Sequence, residues 1–308
     1  MFDFSLTLKY INTFKLEHFN ITCNDYNYKT GMLCFGTSEG SIIFSNTNLS
    51  SDLGNLKFMN KNITDVPIYN VNWLDDSRIG VTFSDSMFVI FDILSDKLLI
   101  LENKSAAVRY IKRYDNNTFY TCGRDNFANA WDFRLMKIVK KLEHDNSVTC
   151  IEFNNNFIYT TSTPGTIINF WDIRYTKKGK YFATKNIVSL SYCRDLKFYK
   201  NNLYSKNIIS HVHKISQTTS FNQTLVNKNI VSYCGSLTYN FFYDVLFTCV
   251  DNEVYCVRDN IFYKISSDCS VCAIGCIAYK NRYILLNNVQ DIVLYRIEPR
   301  IDTNKHST

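Results

Sequence analysis

Arg134 and Arg174 each stand two residues after an aspartate and three after a tryptophan, in Trp131-Asp132-Phe133-Arg134 and Trp171-Asp172-Ile173-Arg174. A guanidinium is planar, always charged and able to form paired hydrogen bonds, which makes it a good interface anchor. Two such groups in one repeated tetrapeptide point to recognition. The plainer alternative is that each arginine only pairs with a nearby aspartate or caps a strand end.

The rest of the chain offers little that could catalyse a reaction. Its five histidines are His18, His144, His211, His213 and His306. His211-Val212-His213 would set two imidazoles on one face of a strand, which could bind a metal, but no third or fourth ligand is evident. A polar strand face is the preferred reading. Cys269-x-x-Cys272 followed by Cys276 resembles ligand spacing, yet there is no second such pair. Cys272 and Cys276 fall in a strand-like run, so core thiols are preferred to a zinc or iron–sulfur site. No phosphate-binding loop, nucleophile elbow or zinc-protease helix motif occurs, and no carboxylate pair stands out. The expectation is a non-enzyme with no metal and no cofactor.

The elements that carry the arginines repeat. Trp131 and Trp171 are 40 residues apart, and the segments around them align without a gap: Val108 with Val148, Ile111 with Ile151, Thr121 with Thr161, Asn129 with Asn169. Another such step back from Trp131 reaches Phe91-Asp92. A period of about 40 residues with a Trp-Asp ending is the mark of a WD-repeat (WD40) β-propeller. Seven units can be counted, near 18–48, 66–100, 106–141, 146–184, 186–220, 228–262 and 270–298, with 301–308 as a short tail. Each holds three runs rich in β-branched and aromatic residues, separated by Asn, Asp, Gly and Ser. Outer strands must come from linking segments such as KLLILEN and KIVKKLE. The N-terminal FSLTLKYI suits the outer strand of the last blade, closing the ring and hiding a long sheet edge. The expected fold is all-β, a single seven-bladed propeller, with unit five the least regular.

The structural marks of such repeats are thin. His144 precedes Val148 by four residues, where a Gly-His would normally fall. Asp85 and Asp125 occupy the tight-turn position six residues before the aromatic. No unit clearly carries the full set of His, Ser/Thr, Asp and Trp, so apolar packing should carry most of the stability.

Bulk properties narrow the class. Of 308 residues, 46% are hydrophobic and 15% aromatic, enough for a sizeable core. With 3 prolines and 10 glycines, no flexible linker stands out. The net charge of +6 is spread along the chain, and its densest cluster, Lys177-Lys178-Gly179-Lys180, reads as a solvated loop. Eleven cysteines, mostly in apolar strand-like runs, suggest buried reduced thiols and hence the cytosol or nucleus. No signal peptide or membrane span is recognised, and the triplets at Asn20, Asn62 and Asn222 are those an asparagine-rich chain yields by chance.

The order of motifs resembles one subfamily. LCFGTSEGSIIFSNT is similar to its first blade and DVPIYNVNWLDDSRIGVTFSDSMFVIFDI to its second. FYTCGRDNFANAWDFR, with a Gly-Arg-Asp turn before a WDxR motif, is similar to its third, and SVTCIEFNNNFIYTTSTPGTIINFWDIR to its fourth. The subfamily is the denticleless (DTL) type WD-repeat substrate receptor of cullin-4 ubiquitin ligases, and the resemblance covers residues 30–175. It implies that Arg134 and Arg174 insert into the damaged-DNA-binding-protein adaptor of cullin-4, oriented by Asp132 and Asp172. It implies a protein substrate on the opposite face, no direct membrane contact, nucleic acid only indirectly, and a nuclear, also cytoplasmic, setting linked to replication and the cell cycle. Two departures go with it. Pro164-Gly165 replace the turn aspartate of unit four. The family's long C-terminal region with its clamp-docking segment has no counterpart before Thr308, so docking by that route is expected to be missing. The competing expectation is a WD-repeat scaffold in ribosome assembly, RNA processing or chromatin. A receptor would show both arginines side by side at one rim, free of internal partners.

Overall fold

In the computed structural model, the described residues are 6–16, 18–46, 56–102, 106–163, 167–175, 183–188, 193–199, 202–207, 212–215, 223–225, 237–240, 245–250, 253–258, 261–267, 275–279, 282–287 and 290–299. All regular structure among them is strand. After β1 (Leu6–Lys15), the first sheet holds β2 (Ile21–Asn27), β3 (Met32–Thr37), β4 (Ser41–Asn46) and β5 (Met59–Asn62). The second holds β6 (Ile68–Trp73), β7 (Arg78–Phe83), β8 (Met87–Asp92) and β9 (Lys97–Glu102). The third holds β10 (Val108–Arg113), β11 (Thr118–Gly123), β12 (Phe127–Asp132) and β13 (Lys137–Glu143). The fourth holds β14 (Val148–Asn154), β15 (Phe157–Ser162), β16 (Ile167–Asp172) and β17 (Ala183–Val188). The fifth holds β18 (Cys193–Tyr199), β19 (Asn202–Asn207) and two short strands, β20 (Val212–Ile215) and β21 (Gln223–Leu225).

The remaining strands form one eight-stranded sheet. It joins β22 (Leu237–Asn240), β23 (Val245–Val250), β24 (Glu253–Arg258) and β25 (Ile261–Ser267) to β26 (Gly275–Tyr279), β27 (Tyr283–Asn287), β28 (Asp291–Pro299) and β1. The junction is a parallel contact of Thr7 with Ser266 and Leu8 with Ser267, so the sheet divides into two four-stranded blades. β1 pairs antiparallel with β28 from Leu6↔Pro299 to Lys15↔Asp291. The N-terminal segment is thus the outer strand of the last blade, as its sequence suggests, and it covers an edge that would otherwise invite pairing.

The first strands of successive blades touch in the order β2, β6, β10, β14, β18, β22, β26 and back to β2. That cycle closes a seven-bladed propeller. The apolar core lies between blades: one cluster joins Cys34 and Ile42 of the first to Val71 and Phe91 of the second, and another joins Tyr120 and Leu142 of the third to Ile151 and Trp171 of the fourth. Alternating residues on each strand supply both faces of these layers.

An inner strand has a free edge, and side chains of the preceding blade cap it. Asp25 Oδ2 accepts the Trp73 N–H at 2.7 Å, and Asn72 Oδ1 accepts the Arg113 N–H at 3.1 Å. Buried backbone donors need such partners. Asp25, Asn72, Lys112, Glu152 and Lys197 occupy the same register position after the bulge in β2, β6, β10, β14 and β18. They therefore form one polar layer at the ring's centre, where Lys112 Nζ meets Glu152 Oε2 at 2.7 Å. Burial pushes the Asp25 carboxyl up, outweighing the Trp73 and Tyr26 backbone donors. Burial acts the same way on Glu152, but Lys112 and Lys197 outweigh it and hold that carboxyl below the usual range.

Among the described residues no group of three or more His, Cys, Asp or Glu side chains is placed to hold a metal. Cys269, Cys272, His211, His306, the Lys177–Lys180 cluster, Pro164-Gly165, Asn222 and the 301–308 tail lie outside the described residues.

Candidate partner-docking face

Phe91, Trp131 and Trp171 fall at equivalent places near the ends of β8, β12 and β16 and are all buried. What each ring needs differs. Trp131 Nε1–H donates to Thr121 Oγ1, and Trp171 Nε1–H to Thr160 Oγ1, both at 2.8 Å. Phe91 has no such donor, and register places Val81 where the other blades have threonine. The apolar pair replaces the hydrogen-bonded one without leaving an orphan polar atom.

The partner of Thr121 is Thr160 and not Thr161, a correction to the ungapped alignment. The hairpin after β14 is two residues long where that after β10 is four, and the following strand offsets absorb the difference. The period survives because one turn shortens and others lengthen.

Blade four assembles three members of the structural set. His144 Nε2 lies 2.6 Å from Thr160 Oγ1, and Nδ1 lies 3.0 Å from the Leu142 carbonyl. With Thr160 accepting from Trp171 and donating to Nε2, the proton of a neutral ring sits on Nδ1. His144 also packs on Trp171 with ring centroids 4.9 Å apart. Burial lowers its pKa to about 4, so the ring is neutral at physiological pH. In the turns before β8 and β12, Asp85 Oδ1 accepts the Met87 N–H and Asp125 Oδ1 accepts the Phe127 N–H. Asp125 Oδ2 also receives the Asn129 side-chain amide at 3.0 Å.

The arginines lie in the turns that follow. Asp92, Asp132 and Asp172 end their strands, and Oδ1 of each accepts the N–H two residues on: Leu94 at 3.0 Å, Arg134 at 2.8 Å and Arg174 at 3.1 Å. This is the local turn that aspartate favours. Cross-strand pairing sets Asp92 against Arg78, Asp132 against Thr118 and Asp172 against Phe157, so all three turns leave the same face of the ring.

The two guanidiniums behave differently. Arg134 is 76% exposed, with one long contact of 3.5 Å to Asp132. Arg174 places Nε 2.8 Å from Asp172 Oδ1 and an Nη 2.5 Å from Oδ2, over the Phe157 ring and with half its side chain exposed. The expectation of arginines free of internal partners therefore fails for Arg174. The cause is the residue across the strand: Phe157 gives Arg174 a flat surface to lie on, whereas Thr118 gives Arg134 none. The Arg174 guanidinium holds the Asp172 carboxyl low, and Asp132 is lowered mainly by the N–H groups of Leu135 and Arg134.

The turn of Arg134 is buttressed from the neighbouring blade. Phe133 is buried, its N–H donates to the Asn117 carbonyl at 2.8 Å, and Arg78 of blade two lies over its ring at 4.3 Å. Sequence reasoning missed Arg78. The signal for it was its alignment with Thr118 and Phe157 at the start of each second strand.

No family model matches the chain. Over 135 residues it is 28% identical to the human protein "DDB1- and CUL4-associated factor 10", a match spanning 40% of this chain and 24% of that protein. A chain in the solved "Crystal Structure of Mitotic Checkpoint Complex" superposes with a TM-score of 0.74 at 13% identity, covering 96% of this chain and 93% of that one. This likeness shows the propeller fold alone.

Proposed function

We propose that this chain is a non-catalytic substrate receptor of a cullin-4 type ubiquitin ligase, docking on the ligase adaptor through the face that carries Arg134 and Arg174. The observation that carries the reading is the repeated Asp-turn of blades three and four, which sets two arginines on one face. The similarity to a human protein named as a DDB1- and CUL4-associated factor supports it independently. Asp132 and Asp172 are the orienting residues in this proposal. Arg134 acts as a mobile arm and Arg174 as a preset one, sharing its outer N–H groups with a partner carboxylate. The ligase's other subunits do the chemistry, and the propeller supplies proximity. The finer proposal is a nuclear receptor that presents replication- or cell-cycle-linked targets on the opposite face. It rests on the motif resemblance over residues 30–175.

A scaffold role is the second reading, and one observation favours it: Arg174 already has a full partner in Asp172. Affinity capture of the tagged protein from its own cells, read by mass spectrometry, separates the two. Recovery of the adaptor together with a cullin supports the receptor. Recovery of a stable assembly lacking both supports the scaffold.

A further inference from the structure

In blades one to four a bulge near the start of the first strand leaves one residue outside the pairing with the second strand: Thr22, Tyr69, Arg109 and Thr149. These positions lie at the end of the blade opposite the Asp turns, since Val108 pairs with Gly123 there while Thr118 pairs with Asp132 at the other end of β11. Two of the four are satisfied within the fold. Thr22 Oγ1–H donates to the Ile68 carbonyl at 2.7 Å, and the Thr149 and Thr161 hydroxyls hydrogen-bond at 2.6 Å.

The other two are large and are not satisfied. Arg109 is part-buried, and its Nε–H is shut off from solvent and meets no acceptor. Among the described residues its guanidinium forms no ion pair, and Tyr69, 45% exposed, makes no side-chain hydrogen bond or ring contact. A buried donor without a partner costs free energy, so a fold that keeps one calls for an acceptor from outside. Hydrogen bonds join the two positions. Thr82, paired with Asn70 beside Tyr69, donates to the Arg109 carbonyl at 3.2 Å, and Asn70 Oδ1 accepts the Ile111 N–H at 3.1 Å. On the other side the Arg124 N–H donates to the Ala107 carbonyl at 2.9 Å, which brings a second arginine, exposed and unpaired among the described residues, to the same corner of blade three. Asp125, next in that turn, directs its oxygens to the Phe127 N–H and the Asn129 amide. Asp85 also stands on this face, in the turn after β7, so the site is defined by unmet donors and not by net charge.

We infer that Tyr69, Arg109 and Arg124 form a recognition site for an acidic segment of the protein that the propeller presents. The two guanidiniums take a carboxylate, and an apolar residue beside it lies on Tyr69. The inference rests on the receptor reading and deepens it by giving the presented segment a chemistry. Guanidiniums hold carboxylates through paired N–H bonds, and an exposed tyrosine offers a flat, rigid contact surface.

The test is selection of a randomised short-peptide library on the purified full chain, then titration of the enriched peptide against variants. Wild type should enrich peptides with Asp or Glu beside an apolar residue. Arg109→Met should weaken the enriched peptide about tenfold or more, with a melting temperature equal to or above that of wild type, because it removes a donor that nothing inside the fold accepts. Tyr69→Ser and Arg124→Met should each weaken it about threefold. Arg134→Ala with Arg174→Ala, on the opposite face, should bind it as wild type does. Enrichment without acidic residues, or an acidic peptide held equally well by Arg109→Met, overturns the inference. A fall in the melting temperature of Arg109→Met also overturns it, by giving that arginine a structural role. Purified adaptor is titrated against the same wild-type sample. Adaptor binding without acidic enrichment overturns the site and keeps the receptor reading, whereas acidic enrichment without adaptor binding keeps the site and overturns the receptor reading.

Discussion

Arg174 lies along the carboxylate of Asp172, two residues earlier, with Nε at 2.8 Å and an Nη at 2.5 Å from its two oxygens. The same tetrapeptide one blade earlier leaves Arg134 almost unpaired, with a single contact of 3.5 Å. One motif thus yields a preset arm and a free one, and the two should respond differently to the same substitution. Asp172→Asn keeps an oxygen for the turn N–H but removes the charge that aims Arg174. Adaptor binding should weaken roughly fivefold, or about 1 kcal/mol, with little change in melting temperature. Asp132→Asn should change binding by less than half as much on a logarithmic scale. Isothermal titration of both variants measures the difference, and equal effects would show that the pairing in blade four has no role in docking.

The Trp171–Thr160–His144 chain should be felt in stability. Thr160→Val removes the acceptor of Trp171 and the partner of His144 in a buried site, leaving two polar atoms unsatisfied. Unsatisfied buried groups cost about 1–3 kcal/mol each, so chemical denaturation should register a loss of a few kcal/mol. The matching change in blade two needs no hydroxyl, so Val81→Thr should destabilise by burying one without a tryptophan to serve.

His144 also sets a pH dependence. Its folded pKa of about 4 lies below the ordinary 6.5, so between these values the unfolded chain binds a proton that the folded chain does not. Its contribution is complete above about pH 6.5 and is lost as pH falls toward 4, amounting to about 3 kcal/mol. His144→Gln should flatten the stability profile in that window. An unchanged slope between pH 6.5 and 4 would contradict the buried neutral ring.

At the ring's centre, Lys112 and Glu152 are paired and mostly buried. Glu152→Gln strands the ammonium and should cost about 3 kcal/mol or more, while replacing both by apolar residues of similar volume should be near neutral. The folded Glu152 carboxyl lies below its usual value, so its stabilising share is present above that value and disappears as pH falls through the folded pKa. Glu152→Gln should therefore lose less stability on acidification than the parent chain.

Gly123 precedes the Arg124-Asp125 turn and sits against the backbone of the strand before it. A Cβ there would lie 2.0 Å from the Ala107 carbonyl oxygen and 2.9 Å from Val108 Cα. Neither atom can swing away as a side chain would. Gly123→Ala should therefore destabilise by about 2 kcal/mol or more and disturb blade three locally, which near-ultraviolet circular dichroism would detect.

Trp131, Trp171 and the aspartates after them made the repeat legible, because those residues close a strand in the same way in every blade that has them. The outer strands and the closing N-terminal strand were readable because a four-stranded blade must draw its fourth strand from the segments that link the counted runs. Thr121 was matched to the wrong neighbour because two hairpins differ in length while the overall period does not. The central layer of Asp25, Asn72, Lys112, Glu152 and Lys197 was missed since the five differ in type and share their strands with other polar residues, and only register after the bulge aligns them. The pose of Arg174 depended on Phe157, distant in sequence and adjacent across the sheet. Its consequence could not be read from the tetrapeptide.

The most direct measurement is the affinity of purified adaptor for the Arg134→Ala/Arg174→Ala chain beside wild type, with melting temperatures recorded on the same samples. The account predicts a loss of at least a hundredfold, about 2.7 kcal/mol, with melting nearly unchanged because Arg134 is mostly exposed and the half-exposed Arg174 pairs only within its own surface turn. Wild-type affinity in the double variant, or a large fall in melting temperature accompanying the loss, would contradict it by returning both arginines to a structural role.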